Sequence, residues 1–429
     1  MKKLLLLLSM AFPAFAVDFH DPAALVARAL ETNPTLARLR AEAAAARERV
    51  EPADSLPNPM LMTGIQNKMI DLRDDEMMTM YMVGASQKLV RAEKRDARRN
   101  VASLAALAAE KQLDSVRAEI ERDVLLAWYE LAITDAELAA TENVREMIEA
   151  VTAAARVRYE VGTSAQADVI RAQLQRSNLD HDVLQLKGRR RAAAARLLTL
   201  LELPVGTGIP TIVMPENTDD LAIDAPAAPP ADHPALVALQ TEVERAEEEI
   251  RLARAENRPD VEVEAQYGYR RMQRDMFSVT ARIELPLRNE TLIAPRIREA
   301  ILRRDAAQSA IAEMRRALVA GLAAAVVAHE EATSQMKFHK DVLVPQAQLA
   351  FESTLAAYQT GKAPFDAILS TETAYLRLQL QYYDFLAAHA QAVVSYEALR
   401  KGARAGVALA SPSATPAAAA ATTSSMGSM

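Results

Sequence analysis

The sequence predicts a mainly α-helical fold built from duplicated helix–β-hairpin–helix units. Three observations carry that prediction. First, the chain repeats itself at a spacing of about 200 residues: Tyr159-Glu160-Val161-Gly162 recurs as Tyr358-Gln359-Thr360-Gly361, and each copy is followed within six residues by an aspartate, Asp168 or Asp366. Asn33-Pro34 answers to His233-Pro234, and Asn58-Pro59 answers to Arg258-Pro259. A period this long indicates duplication of a whole module rather than a solenoid. Second, Lys94 to Tyr159 contains neither proline nor glycine, which as one helix gives a rod of about 100 Å. Third, a pair of short strand-like segments follows each Asn58-Pro59 or Arg258-Pro259 step.

The N-terminus reads as a leader. Met1-Lys2-Lys3 is a charged start, Leu4 to Leu8 an apolar centre, and Ala14-Phe15-Ala16 a small-residue cleavage site. Residues 1–16 are therefore expected to be a signal peptide, with the mature chain beginning at about Val17; an uncleaved anchor is the alternative. The formal net charge of −7 argues against nucleic-acid binding, which needs clustered positive charge. The absence of cysteine excludes disulfides, zinc–thiolate sites and a lipid anchor on an N-terminal Cys. After the leader, no apolar run approaches the roughly 20 residues of a membrane helix. A closed β-barrel stays open as a way to cross a membrane, because its strands are shorter.

Residues 17–203 form the first expected repeat. Pro22 to about Asp54 is alanine- and arginine-rich at helical spacing, interrupted at Asn33-Pro34 and ended by Ser55-Leu56-Pro57-Asn58-Pro59. Met60 to Met69 and Met78 to Leu89 are expected strands across an acidic turn, Asp71 to Glu76. The long helix follows, Gly162 breaks it, and a second helix is expected from Ser164 to Glu202. The stretch 204–232 is proline-rich and expected to be an irregular linker. Residues 233–402 repeat the plan: a helix over Pro234–Asn257, strands over Asp260–Tyr269 and Met276–Leu287, one helix over Pro295–Tyr358, a turn at Gly361, and a returning helix over Pro364–Lys401. Residues 403–429, rich in Ala, Ser, Thr and Pro, are expected to be a disordered tail.

The strands indicate the environment. Val261, Val263, Ala265, Tyr267 and Tyr269 share one face, as do Phe277, Val279, Ala281, Ile283 and Leu285. Asp260, Glu262, Glu264 and Gln266, and likewise Ser278, Thr280, Arg282 and Glu284, share the other. Two hairpins do not close a barrel within one chain, but several copies pooling their hairpins would remove the exposed edges and enclose an acidic, water-filled lumen. The alternative is a four-stranded sheet capping a soluble helical protein, of which a periplasmic coiled-coil scaffold is one form.

Leader, duplicated plan and paired Tyr-x-x-Gly turns together resemble the TolC family of outer-membrane efflux channels, from about Asp21 to Lys401. The resemblance implies a homotrimer in the bacterial outer membrane, with one twelve-stranded barrel continuing into a long α-helical tunnel in the periplasm. It also implies passive export, with a periplasmic adaptor protein and an inner-membrane resistance-nodulation-division pump as partners. Leu56-Pro57-Asn58-Pro59-Met60, Met77-Met78-Thr79-Met80 and Val83-Gly84-Ala85-Ser86-Gln87 resemble the heavy-metal branch, similar to CusC and CzcC, and so favour copper or silver as cargo. Organic drugs or a secreted polypeptide are the alternative cargoes. Some members of that branch are lipoproteins, and the lack of cysteine departs from their pattern. No enzyme and no cofactor are expected: no Gly-rich phosphate loop, His/Cys quartet or Ser-His-Asp set is present, and the six histidines are scattered.

By motif match, the resemblance places adaptor contacts at Gly162, Thr163, Ser164 and Gly361, and gate residues at Asp366, Lys362, Arg158 and Tyr358. Asp366, repeated threefold, would make an anionic ring, and Arg158 would bridge to a tip carboxylate. Asp168 reads equally as a helix cap or ion-pair partner. Seven of the seventeen methionines lie between Met60 and Met82. Strand alternation turns Met60, Met62, Met78, Met80 and Met82 toward the polar face. Thioethers are soft ligands suited to Cu(I) and Ag(I), so these residues are candidate metal contacts; flexible apolar filler is the other reading.

Overall fold

The computed structural model describes residues 18–68, 78–215, 222–223, 229–271, 273–285 and 289–404. The expected leader, the acidic turn at 71–76, parts of the linker and nearly all of the expected tail lie outside these residues. The first helices begin where proline and a capping side chain coincide. In α1 (Pro22–Thr32) the Asp21 carboxylate accepts from Ala23 N at 2.9 Å. In α2 (Pro34–Glu48) the side-chain Oδ1 of Asn33 accepts from Thr35 N at 2.9 Å and Leu36 N at 3.3 Å. Each proline sits in the first turn, where its missing N–H costs nothing. A short α3 (Val50–Asp54) ends before the proline-rich step.

The proline- and glycine-free run is one helix, α4 (Ala92–Glu160), of 69 residues. It lies against α1, α2 and α3, against its return partner α5 (Gln166–Leu200), and against α6 (Pro234–Ala255) and α9 (Phe365–Lys401) of the second half. The second long helix differs from expectation. It runs as α7 (Ala294–Phe338), passes through a π turn at His339–Leu343, and resumes as α8 (Val344–Gln359). Pro345 explains the break: a proline inside a helix lacks one amide donor and its ring clashes with the carbonyl four residues back. A widened turn immediately before it relieves both.

Among the described residues, the two largest hydrophobic clusters are built on α4. One surrounds Trp128, which is fully buried with Leu25, Leu36, Val124, Leu131 and Leu197; its indole N–H donates to Phe19 O at 2.8 Å. The other joins Ile148 and Val151 of α4 to Leu179, Phe351, Tyr358 and Ile368. The described start of the linker, 204–215, is held by specific contacts. Ile212 is buried in the first cluster, and its N–H donates to Asp135 Oδ2 at 2.8 Å. Arg190 meets Asp135 at 2.5 Å and donates to Ile209 O and Pro210 O. One buried ion pair thus staples the linker to α4 and α5.

The strands β1 (Met60–Gln66), β2 (Met80–Leu89), β3 (Val261–Tyr269) and β4 (Met276–Ile283) form one antiparallel sheet in the order β1-β2-β3-β4. They are shorter than expected, and Met78 falls in the turn before β2 rather than in the strand. At the base of the sheet, Lys94 Nζ meets Asp260 at 2.9 Å and Arg91 Nε donates to Pro259 O at 3.1 Å, tying the two repeats together. Among the described residues no helix is long and apolar enough to cross a membrane.

Stability should follow burial. Replacing Asp135 by Ala removes the counter-ion of Arg190 and the acceptor of the buried Ile212 N–H, and should cost about 3–5 kcal/mol. Trp128→Ala should cost a similar amount through cavity formation. Glu42→Ala removes only the exposed Arg38 pair and should cost under about 1 kcal/mol. Denaturation of the detergent-purified protein followed by circular dichroism checks the order; equal effects at all three positions would contradict it.

Candidate functional site

The two Tyr-x-x-Gly motifs form matching helix terminations. Gly162 and Gly361 have φ values of 74° and 79°, a left-handed conformation that glycine adopts without a Cβ penalty. At the first, Thr163 N donates to Arg158 O at 2.8 Å and Gly162 N to Tyr159 O at 3.0 Å. At the second, Lys362 N donates to Ala357 O at 2.8 Å and Gly361 N to Tyr358 O at 2.9 Å. Both are Schellman terminations, which satisfy the orphan carbonyls of the outgoing helix. The hydroxyl of Thr163 also donates to Arg158 O at 3.0 Å, and that of Ser164 donates to Asp168 Oδ2 at 2.6 Å. Asp168 therefore braces the entry to α5.

The two turns lie side by side, and Arg158 joins them. Its guanidinium stands 4.5 Å over the Tyr358 ring and donates to the Tyr358 carbonyl. Within the chain its partner is thus an aromatic face and a backbone oxygen, where a carboxylate was expected. Tyr358 is buried against Phe365, edge to face at 5.7 Å between ring centroids, whereas its repeat equivalent Tyr159 is exposed. Asp366 is also paired within the chain: Arg171 Nη1 of α5 meets its Oδ1 at 2.5 Å, crossing the repeats. An isolated anionic Asp366 is therefore not what the single chain presents.

Sequence reasoning missed Arg171 and, behind it, Glu372. Glu372 has no exposed surface; one carboxylate oxygen accepts from Gln175 Nε2 at 2.8 Å and the other has no partner. Burial, reinforced by nearby Asp182, pushes its pKa up to about 7. The signal was present in the spacing: Ile368, Glu372 and Leu376 recur at i, i+4, so the acid occupies an apolar stripe. The structure also brings together His329 and His389, which the sequence left isolated, with ring centroids 4.8 Å apart between α7 and α9.

At the other end of the molecule, cross-strand pairing fixes which residues share a face. Leu61, Ala85, Ala265 and Val279 stand in one row, and Thr63, Val83, Tyr267 and Phe277 in the next. This face is apolar and open: Leu61 is 79% exposed and Phe277 71%. The opposite face carries Met60, Met62, Met80 and Met82 beside Ser86, Glu262, Glu264, Gln266 and Ser278. It is less acidic than the sequence suggested, because Arg282 meets Glu264 at 2.7 Å and Glu262 at 3.6 Å. Among the described residues, no cluster of three or more His, Cys, Asp or Glu side chains has metal-binding geometry.

A pH dependence follows from Glu372. Its folded pKa of about 7 lies above the ordinary 4.5. Between those values the folded chain retains a proton that the unfolded chain has released. Stability therefore falls as pH rises through that window and levels off above it, as far as this residue is concerned. Glu372→Gln should flatten that slope and gain relative stability at about pH 8 over about pH 5. Thermal melts of the two proteins across pH decide it, and parallel slopes would contradict the assignment.

Solved structures share this architecture over most of the chain. A membrane protein from Pseudomonas aeruginosa superposes with a TM-score of 0.77 at 17% identity, covering 88% of this chain and 92% of its own. CusC, solved in the context of folding and transmembrane channel formation, gives 0.76 at 17% identity over 90% and 93%. The outer membrane protein VceC from Vibrio cholerae gives 0.74 at 18% identity over 89% and 96%. At these identities the likeness establishes the fold. No curated protein matches the chain. The profile of the family described as outer membrane efflux protein matches residues 25–202 and 230–402. With the duplicated modules, the amphipathic sheet and the paired helix terminations in place, the match over both halves means that this chain belongs to the outer membrane efflux protein family.

Proposed function

We propose that the protein is the outer-membrane exit duct of a tripartite efflux system, working as a homotrimer with a periplasmic adaptor and an inner-membrane resistance-nodulation-division pump. The observation that carries this reading is the open sheet. Among the described residues its outer strands, β1 and β4, pair on one side only, one face is apolar and exposed, and the other is polar and ion-paired. With four alternating strands per chain, β4 of one copy meets β1 of the next antiparallel. Three copies make a twelve-stranded closed barrel with the apolar face toward lipid. The exposed flanks of α7, including Leu302, Val319 and Val327, supply further surface for packing between copies.

Residues 17–203 and 233–402 act as the two efflux repeats in this reading, joined by the 204–232 linker. The Schellman turns at Gly162-Thr163-Ser164 and Gly361 meet the adaptor. Arg158, Tyr358, Lys362 and Asp366 form the gate, with Arg158 and Asp366 held in ion-paired or cation–π contacts until the adaptor docks. Energy comes from the pump, and the duct itself is passive. The cargo we propose is heavy-metal cations, copper and silver first, supported by the soft thioethers of Met60, Met62, Met78, Met80 and Met82 on or beside the polar sheet face.

Growth inhibition of a deletion strain, with and without the gene restored, tests the cargo. Sensitivity confined to copper and silver is expected; sensitivity to organic toxicants alone would keep the duct and overturn the metal. Membrane fractionation tests the duct, and recovery in the soluble fraction without detergent would refute it. Gly162→Val with Gly361→Val forces a β-branched residue into left-handed backbone, at about 1–3 kcal/mol each. The double variant is expected to retain trimers and lose resistance; full resistance with both substitutions would remove the tips from adaptor coupling.

A further inference from the structure

We infer that Met80, Met82 and Met276, gathered over Gly268 on the polar sheet face, form a thioether site for a monovalent soft cation, Cu(I) or Ag(I). The pairing register places Met82, Gly268 and Met276 in one row across β2, β3 and β4, so the two methionines flank the glycine. Adjacent strands lie about 4.8 Å apart, so the flanking side chains rise on either side of a gap one residue wide. Met80 fills that gap from the same face of β2. A methyl group built on Gly268 would stand 2.2 Å from Met80 Sδ, 2.7 Å from its Cγ and 3.3 Å from its Cε. The sulfur therefore lies too close for a Cβ at this position unless Met80 moves.

Glycine inside a strand weakens it and marks a place where another group approaches closely. Here the group is a thioether. Gly64, paired with Met82 on its other side, has nothing within 4 Å of its own missing Cβ, so Met82 is not crowded from β1. Met276 stands outside the methionine-rich segment of the first repeat and is contributed by the second, so the cluster exists only once the repeats pair. Three neutral sulfurs are poor ligands for Zn(II) or Mg(II), which prefer nitrogen and oxygen, and good ones for d10 monovalent ions. Among the described residues of this face, Glu264 is engaged by Arg282, and the row of Met82, Gly268 and Met276 offers thioethers as its soft donors. The inference rests on the metal-cargo reading for the source of the cation, while its geometry stands on the sheet alone.

Titration of the detergent-solubilised full-length protein with silver nitrate in chloride-free buffer tests it. The wild type should bind Ag(I) with an affinity unchanged between about pH 5 and 8, because a thioether has no proton to lose in that range. Zn(II) should not compete. Met80→Leu/Met82→Leu/Met276→Leu should remove the binding step. Gly268→Ala keeps every sulfur yet displaces Met80, and should weaken binding by roughly tenfold or more. Methyl-labelled methionine NMR on the unmodified protein is the companion measurement, with shifts expected at Met80, Met82 and Met276 on adding silver. Wild-type affinity in the triple variant, or silver-induced shifts confined to other methionines, would overturn the site. Silver binding at these residues in a strain whose metal tolerance does not depend on the gene would keep the site and overturn the cargo reading.

Discussion

The structure depends on α4 remaining one unbroken helix. Sixty-nine residues without proline or glycine span from the base of the sheet to the paired turns, and the two largest hydrophobic clusters of the described residues are built on its flank. Helical propensity alone does not hold a helix of this length in one conformation; packing of a buried face does. Val124, Ala127, Trp128 and Leu131 serve at one level, and Val144, Ile148, Val151 and Ala155 at another. The alanines among them let neighbouring helices approach closely. Because α4 touches helices from both repeats, its position sets how the duplicated modules face each other, and hence where the turns and strands fall.

Duplication does not mean equivalence in this fold. The two helix terminations share backbone geometry to the level of the same two hydrogen bonds, yet Tyr159 is exposed while Tyr358 is buried under Arg158. The aspartates diverge as well. Asp168 accepts from Ser164 within its own turn, and Asp366 reaches across to Arg171 of the other repeat. One repeat thus supplies the cations and the other the aromatic and anionic partners. Such cross-repeat contacts hold the two turns in one arrangement, with Glu372 a buried acid further along α9.

The sheet shows the same economy at the opposite end. Its alternation produces two unlike surfaces from one set of strands, and the register decides what each row contains. Lys94 with Asp260 and Arg91 with Pro259 fix the strands to the helices beneath, so the apolar face is held outward as a sheet rather than folded back into a core. Glycines on the polar face at positions 84 and 268 leave room that Gln266 and Met80 occupy, whereas the space over Gly64 is open.

Much of this was legible in the chain itself. Proline and glycine placement marked the helix starts and the two reversals, because those residues change what the backbone can do locally. Period-two alternation assigned each strand residue to a face, and the repeat predicted that the plan would occur twice. Other features needed three dimensions. The π turn ahead of Pro345 depends on neighbours that keep α7 and α8 aligned. The pairing of Asp366 with Arg171, of Arg158 with Tyr358, and of Glu262 and Glu264 with Arg282 joins residues whose separation along the chain gives no local signal. Met276 joins Met80 and Met82 only through the register of β2, β3 and β4. Local propensity and periodicity act over a few residues and are written in the sequence; partner choice between distant side chains is decided by packing, which only the tertiary structure displays.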